Sequence, residues 1–249
     1  MAVKEEIMKL IIVRHGDPDY VKDGLTEKGK KEAELLAGYM RNVKADRCYV
    51  SPLGRAQETA AACLKYMDVK AETFEWLREF APRIHRPDRP DGLSICWDWM
   101  PEDWTKDPLL YDFDKWTEHP VFKEANVRAE VDWVYENFEK LLNSLGYHKQ
   151  GRLFLAEKPN NDTVVFFCHF GLEVVLMSYL LHVSPMILWH GFIAVPTAVT
   201  TIATEERREG KAYFRIQSFG ETAHLKAGNE PASFSGRFCE CFSNTDERH

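Results

Sequence analysis

Residues 11–13 close a short apolar run bounded by charge, the pattern of a buried strand. Leu25-Thr26-Glu27 then opens a helical stretch. Thr26 can cap it, and Ala33, Leu36, Ala37 and Met40 recur at helical spacing. Residues 48–50 read as a second short strand. Ser51-Pro52 follows, a cap residue and a proline at the first helical position, with Ala56, Ala60, Cys63, Leu64 and Met67 as the apolar stripe of the next helix. Residues 124–145 return to helix, with Val127, Val131, Val134, Tyr135, Phe138, Leu141 and Leu142 on one face. Residues 163–168 form a strongly apolar strand, 172–181 a helix, and 197–203 and 213–219 two later strands. Alternating strands and helices predict an α/β fold: a three-layer α/β/α sandwich with a mostly parallel central sheet.

The pattern breaks between 81 and 121, which holds six of the twelve prolines. Six of the seven tryptophans lie between Trp76 and Trp133. Proline at that density excludes long helices, and the aromatics argue against disorder. The expectation is one domain over 1–249 with 81–121 as a folded, irregular, lid-like insertion near the active site.

Composition narrows the class. The chain has 249 residues, 45% apolar and 29% charged, an ordinary globular balance. Its net charge of −7 argues against nucleic-acid binding, which needs a cationic footprint. It leaves room for a small anionic ligand held by a local arginine cluster. No apolar stretch approaches the roughly 20 residues of a membrane helix, and the first residues do not read as a signal peptide. The six cysteines are scattered, and Cys239-x-Cys241 is too tight for an ordinary zinc half-site. They read as free thiols of a cytoplasmic protein, with no metal and no cofactor expected. Oligomeric state stays open, since Phe234, Phe238 and Phe242 suit either an interior or an interface.

Two histidines occupy equivalent places. His15 follows the first strand and His169 the later apolar one, each closely followed by glycine. In open α/β sheets ligands bind beyond the carboxyl ends of strands. Arg14 adds a cation beside His15, and Arg55 adds another in the first turn of a helix, whose N-terminus itself favours anions. Taken alone, His15 reads as a core histidine, Arg55 as a partner of Glu58 and Glu79 as a surface carboxylate. Together the elements suit a compact dianion, and phosphate fits.

Arg14-His15-Gly16, Leu25-Thr26-Glu27-Lys28-Gly29, Ser51-Pro52-Leu53-Gly54-Arg55-Ala56 and His169-Phe170-Gly171 stand in the order of four family blocks. On these the chain resembles the histidine phosphatase superfamily, its phosphoglycerate-mutase-like branch, over residues 8–80 and about 125–225. The resemblance implies a phosphatase that hydrolyses a small phosphomonoester through a covalent phosphohistidine at His15, without metal. Arg14, Arg55 and a protonated His169 would hold the phosphoryl oxygens. Glu79 stands where the family places its proton donor, and Asp17 competes for that role. Outside the resemblance, the insertion reads either as a solvated loop with aromatic anchors or as a lid whose basic front, Arg83, Arg86 and Arg89, recognises a second anionic group.

Two alternatives remain. One is a phosphoglycerate-type mutase, disfavoured because Pro18 and Val21 replace the serine and asparagine of the mutase run. The other is a non-catalytic phospho-ligand or protein-binding module on the same fold. His190 and His224 read as structural, and Glu173 as able to turn either way on its helix.

Overall fold

Burial along the first strand, β1 (Lys9–Arg14), divides its side chains between two cores. Leu10 and Ile12 join one cluster, Ile11 and Val13 the other. That division makes β1 the middle layer of three, as strand periodicity requires. The computed structural model from which this follows describes residues 7–89, 91–235 and 241–244.

After β1 come a small ribbon, β2 (Pro18–Asp19) and β3 (Gly24–Leu25), and helix α1 (Glu27–Met40). Thr26 caps α1 as its sequence position predicts, accepting from the backbone N–H of Gly29. Next stand β4 (Arg47–Val50), α2 (Gly54–Leu64) and β5 (Ala71–Thr73). The proline-rich segment holds only β6 (Arg83–Ile84), β7 (Ser94–Ile95), α3 (Pro101–Trp104), α4 (Pro120–Glu124) and single 3-10 turns. Then follow α5 (Val127–Ser144), the hairpin β8 (Tyr147–Gln150) and β9 (Leu153–Ala156), and β10 (Thr163–Cys168). The last elements are α6 (Phe170–Leu181), α7 (Pro185–Gly191), β11 (Val199–Arg208), β12 (Lys211–Glu221) and α8 (Ala223–Ala227).

The central sheet has eight strands in the order β5-β4-β10-β1-β11-β12-β9-β8. It is mixed: β11 and β9 run against the other six, which share one direction. On one face α1 and α2 cover Ile11, Val13, Val165 and Phe167 through Leu36, Ala37, Ala60 and Cys63. On the other, α5 and α6 cover Leu10, Ile12, Val164 and Phe166 through Val131, Phe138, Leu172 and Leu176. Trp97, Trp99, Trp104 and Trp116 of the insertion belong to this second core, so the segment packs on the sheet domain.

Two expectations move. The helix expected over 124–145 is interrupted at Asn126, whose left-handed φ of 51° ends α4 and starts α5 afresh. Ser51 does not cap α2: that helix begins at Gly54 after Leu53, with no side-chain cap. Cys48, Cys63, Cys96 and Cys168 are buried free thiols and Cys241 is exposed, while Cys239 and Phe238 lie outside the described residues. Among the described residues no helix is long and apolar enough to cross a membrane.

Candidate active site

Parallel pairing of β1 and β10 matches Val13 with Phe167 and Arg14 with Cys168. The next residue on each strand is a histidine, so the register alone brings His15 beside His169. Their ring centroids stand 5.1 Å apart, and both side chains are buried. His15 Nδ1 lies 2.7 Å from the carbonyl oxygen of Gly16. A carbonyl can only accept, so Nδ1 carries the proton and Nε2 keeps a free lone pair.

The backbone around His15 is clamped. Its N–H donates to Cys168 O, and its carbonyl accepts from Thr197 N at 3.1 Å. Thr197 is β-branched yet has a φ of 60°, a strained conformation that clusters at functional sites. His224 Nε2 lies 3.0 Å from Thr197 Oγ1, which itself donates to Pro196 O, so His224 donates and braces that turn. Gly16 N donates to Thr59 Oγ1, and a Cβ on Gly16 would stand 2.8 Å from Gly29 O, which explains the glycine.

Arg14 and Arg55 are both buried. Arg14 Nη1 donates to Ala194 O, and its Nε has no partner among the described residues. Arg55 pairs with Asp23 Oδ1 at 2.6 Å rather than with Glu58, which instead accepts from Leu25 N. Burial pushes the His15 pKa well below its ordinary value, and the charges of Arg14 and Arg55 push it further. His15 is therefore neutral near pH 7, as a nucleophile must be.

Burial, then His15, Arg55 and Arg14, drive the His169 pKa well below its ordinary value, a balance that a phosphate dianion beside the ring would oppose. Ser51 occupies one of the His169 ring nitrogens. Ser51 Oγ lies 2.7 Å from His169 Nε2 and already accepts from Leu53 N. With Nε2 taken up by that hydroxyl, Nδ1 is the ring nitrogen left buried and without a hydrogen-bond partner among the described residues.

Glu79 is half-buried at the N-terminus of α6. Its Oε1 accepts from Phe80 N at 2.8 Å and from Leu172 N at 3.1 Å. Burial raises its pKa, while Arg14, Arg55 and these two N–H groups oppose the rise. Asp17 is committed elsewhere: its oxygens accept from Thr26 Oγ1 at 2.6 Å and from the Ser233 hydroxyl.

The model of the histidine phosphatase superfamily (branch 1) matches residues 10–143. The chain belongs to that superfamily. Among curated relatives, this histidine phosphatase is 27% identical over 211 residues to phosphoserine phosphatase 1 of Hydrogenobacter thermophilus, covering 81% of this chain and 89% of the relative. Two solved structures share its fold. Phosphoserine phosphatase of Entamoeba histolytica, in complex with 3-phosphoglyceric acid, gives a TM-score of 0.56 at 22% identity over 88% of this chain and 99% of that one. A mycobacterial glucosyl-3-phosphoglycerate phosphatase gives 0.56 at 20% over 87% and 100%.

The three basic residues of the insertion part company in this histidine phosphatase. Arg83 and Arg89 are exposed. Arg86 is buried, donating Nε and Nη2 to the Asp88 carboxylate and Nη1 to Trp97 O. That guanidinium is spent on holding the insertion together. His190 does the same from α7, donating from Nδ1 to Met186 O and accepting from Trp99 N at Nε2. Sequence reasoning missed Asp23 and the role of Ser51. The signals for Ser51 were its place at the head of the second family block and at the end of β4, beside the strand that carries His169.

Proposed function

We propose that this chain is a phosphatase that hydrolyses a small phosphomonoester through a phosphohistidine on Nε2 of His15. The observation that carries the reading is the His15 Nδ1 contact to Gly16 O, which leaves Nε2 as the nucleophile between two buried arginines. Nε2 attacks phosphorus, the P–O ester bond breaks, and the leaving oxygen takes a proton from Glu79. Water then attacks phosphorus, Glu79 takes its proton, the P–N bond breaks, and phosphate leaves with His15 restored. Arg14, Arg55 and the Nδ1–H of His169 hold the phosphoryl oxygens, so positioning and charge supply most of the catalysis without a metal. Glu79 is preferred over Asp17 because it shares the field of Arg14 and Arg55, whereas Asp17 is tied to Thr26 and Ser233.

The 81–121 segment acts as a lid, with Arg83 and Arg89 as exposed cations on it. Trp97 supports this, donating to Phe80 O beside Glu79. Buried thiols suit a reducing, cytoplasmic setting. The name of the Hydrogenobacter relative makes phosphoserine the first substrate to test. The test is a phosphomonoester panel in EDTA, with His15→Ala as control. Turnover that falls by at least about three orders of magnitude in the variant is expected. Undiminished turnover in His15→Ala, or none by folded wild-type protein, overturns the reading.

A further inference from the structure

Helix α2 carries Arg55 in its first turn, yet Leu53, the residue before the helix, gives it no side-chain cap. The cap comes from another element. Asp23 stands in the turn between β2 and β3, and its Oδ2 accepts from the N–H of Gly54, the first residue of α2, at 2.7 Å. Its other oxygen, Oδ1, accepts from Arg55 Nη1 at 2.6 Å. One carboxylate thus holds both the start of the helix and the guanidinium that the helix carries.

The turn that supplies Asp23 is itself fastened. Asp19 Oδ1 accepts from Val21 N and Lys22 N, and Leu25 N donates to Glu58 Oε2, one turn beyond Arg55 on α2. Asp23 has a φ of 49°, in the left-handed region that aspartate and asparagine tolerate better than most residues. Its carbonyl oxygen is seated so closely on Gly54 that a Cβ there would stand 1.9 Å away. The carboxylate therefore reaches Arg55 from a fixed point.

Arg55 is held at its backbone as well. Thr59 Oγ1 donates to Arg55 O at 2.7 Å and accepts from Gly16 N at 2.9 Å, which ties the first turn of α2 to the residue after His15. The Tyr20 ring lies over the guanidinium, its centroid 5.4 Å from Cζ. Against these contacts, Nε is buried and has no partner among the described residues. A buried N–H is costly while it lacks an acceptor, so this edge suits an anion.

We propose that Asp23 is a positioning residue: its hold on Nη1 sets the guanidinium so that the edge formed by Nε and Nη2 meets a phosphoryl oxygen beside His15. Arginine binds phosphate through paired N–H groups in a fixed plane, so a guanidinium free to turn loses that match. The carboxylate also brings a negative charge close to the bound dianion. The two roles open to it therefore have opposite signs. A positioning carboxylate strengthens anion binding in spite of its charge, whereas one that merely occupies the arginine weakens it.

The proposal rests on the phosphatase reading, and a binding measurement separates the two. Asp23→Asn keeps the left-handed backbone but leaves one acceptor oxygen where there were two, so it cannot serve Gly54 and Arg55 together. The Arg55 and Asp23 side chains are 10% and 43% exposed, and a pair this open adds little to stability, so the variant folds. In Asp23→Asn, calorimetry with inorganic phosphate is expected to show binding weakened about 10-fold, and kcat/KM on phosphoserine to fall by a similar factor. In an Arg55→Ala background the same substitution changes either quantity by less than about 2-fold, because Asp23 acts through Arg55. A residue that only starts the helix would have the same effect in both backgrounds. Equal losses in the two backgrounds, or phosphate binding that is unchanged or tighter in Asp23→Asn, overturn the proposal. Weakened phosphate binding in Asp23→Asn supports it even if wild-type protein turns over no phosphomonoester, a result that defeats the phosphatase reading alone.

Discussion

Ser51 Oγ stands 2.7 Å from Nε2 of His169, joining the end of β4 to the end of β10. The contact occupies Nε2 and leaves Nδ1 as the nitrogen that would face a phosphoryl group in the proposed reaction. Ser51→Ala removes it and leaves a buried Nε2 unpaired. We expect a kcat loss on the order of 10- to 100-fold and a stability loss of about 1–3 kcal/mol. Steady-state kinetics and thermal melts measure the two, and unchanged kcat would show that the contact does not position His169 for turnover.

Gly171 is a second tight point. A Cβ there would lie 2.7 Å from Trp97 Nε1, 2.8 Å from Glu79 Oε1 and 3.0 Å from Phe80 O. The backbone oxygen cannot swing away as a flexible side chain would. Gly171→Ala is therefore expected to displace Glu79, lowering kcat by roughly 10-fold or more and stability by about 1–3 kcal/mol. Kinetics on an alkyl phosphate checks this, since that reaction depends on the proton donor.

Arg86→Ala is expected to act on stability rather than on substrate recognition. Both side chains of the Arg86–Asp88 pair are 4% exposed, so truncation leaves a buried carboxylate uncompensated. The expected cost is about 3–5 kcal/mol. Arg83→Ala and Arg89→Ala, at exposed positions, should change stability by no more than about 0.5 kcal/mol. Denaturant melts of the three variants separate these outcomes. A rise in KM confined to Arg83→Ala or Arg89→Ala would support the lid reading.

The pH profile follows from two opposed shifts. His15 must be neutral to attack, and its pKa is held well below 6.5 by burial, Arg14 and Arg55. The ascending limb of kcat/KM therefore lies well below pH 6.5. As the proposed donor Glu79 must carry a proton, and burial raises its pKa above 4.5. The descending limb therefore lies above pH 4.5, beyond the ordinary carboxyl range. An optimum above pH 8 would mean that Glu79 is not the donor.

The sequence by itself determined much of this protein. Strand periodicity at residues 10–13 and 164–168 and the helical stripes through Leu36 and Ala60 carried the three-layer architecture, because burial period is a local property. The four motif blocks carried His15, Arg14, Arg55 and His169. The β8–β9 hairpin was not legible, since its residues are short, partly polar and stabilised mainly by pairing at a sheet edge. Only the tertiary structure brought the two histidines together, through the register of β1 against β10. It alone turned Ser51 from a helix cap into the partner of His169, spent Arg86 on Asp88, and set Asp23 against Arg55. Those assignments depend on which groups meet across elements and on how deeply they are buried. Both follow from packing between segments far apart in the chain, and no local pattern encodes them.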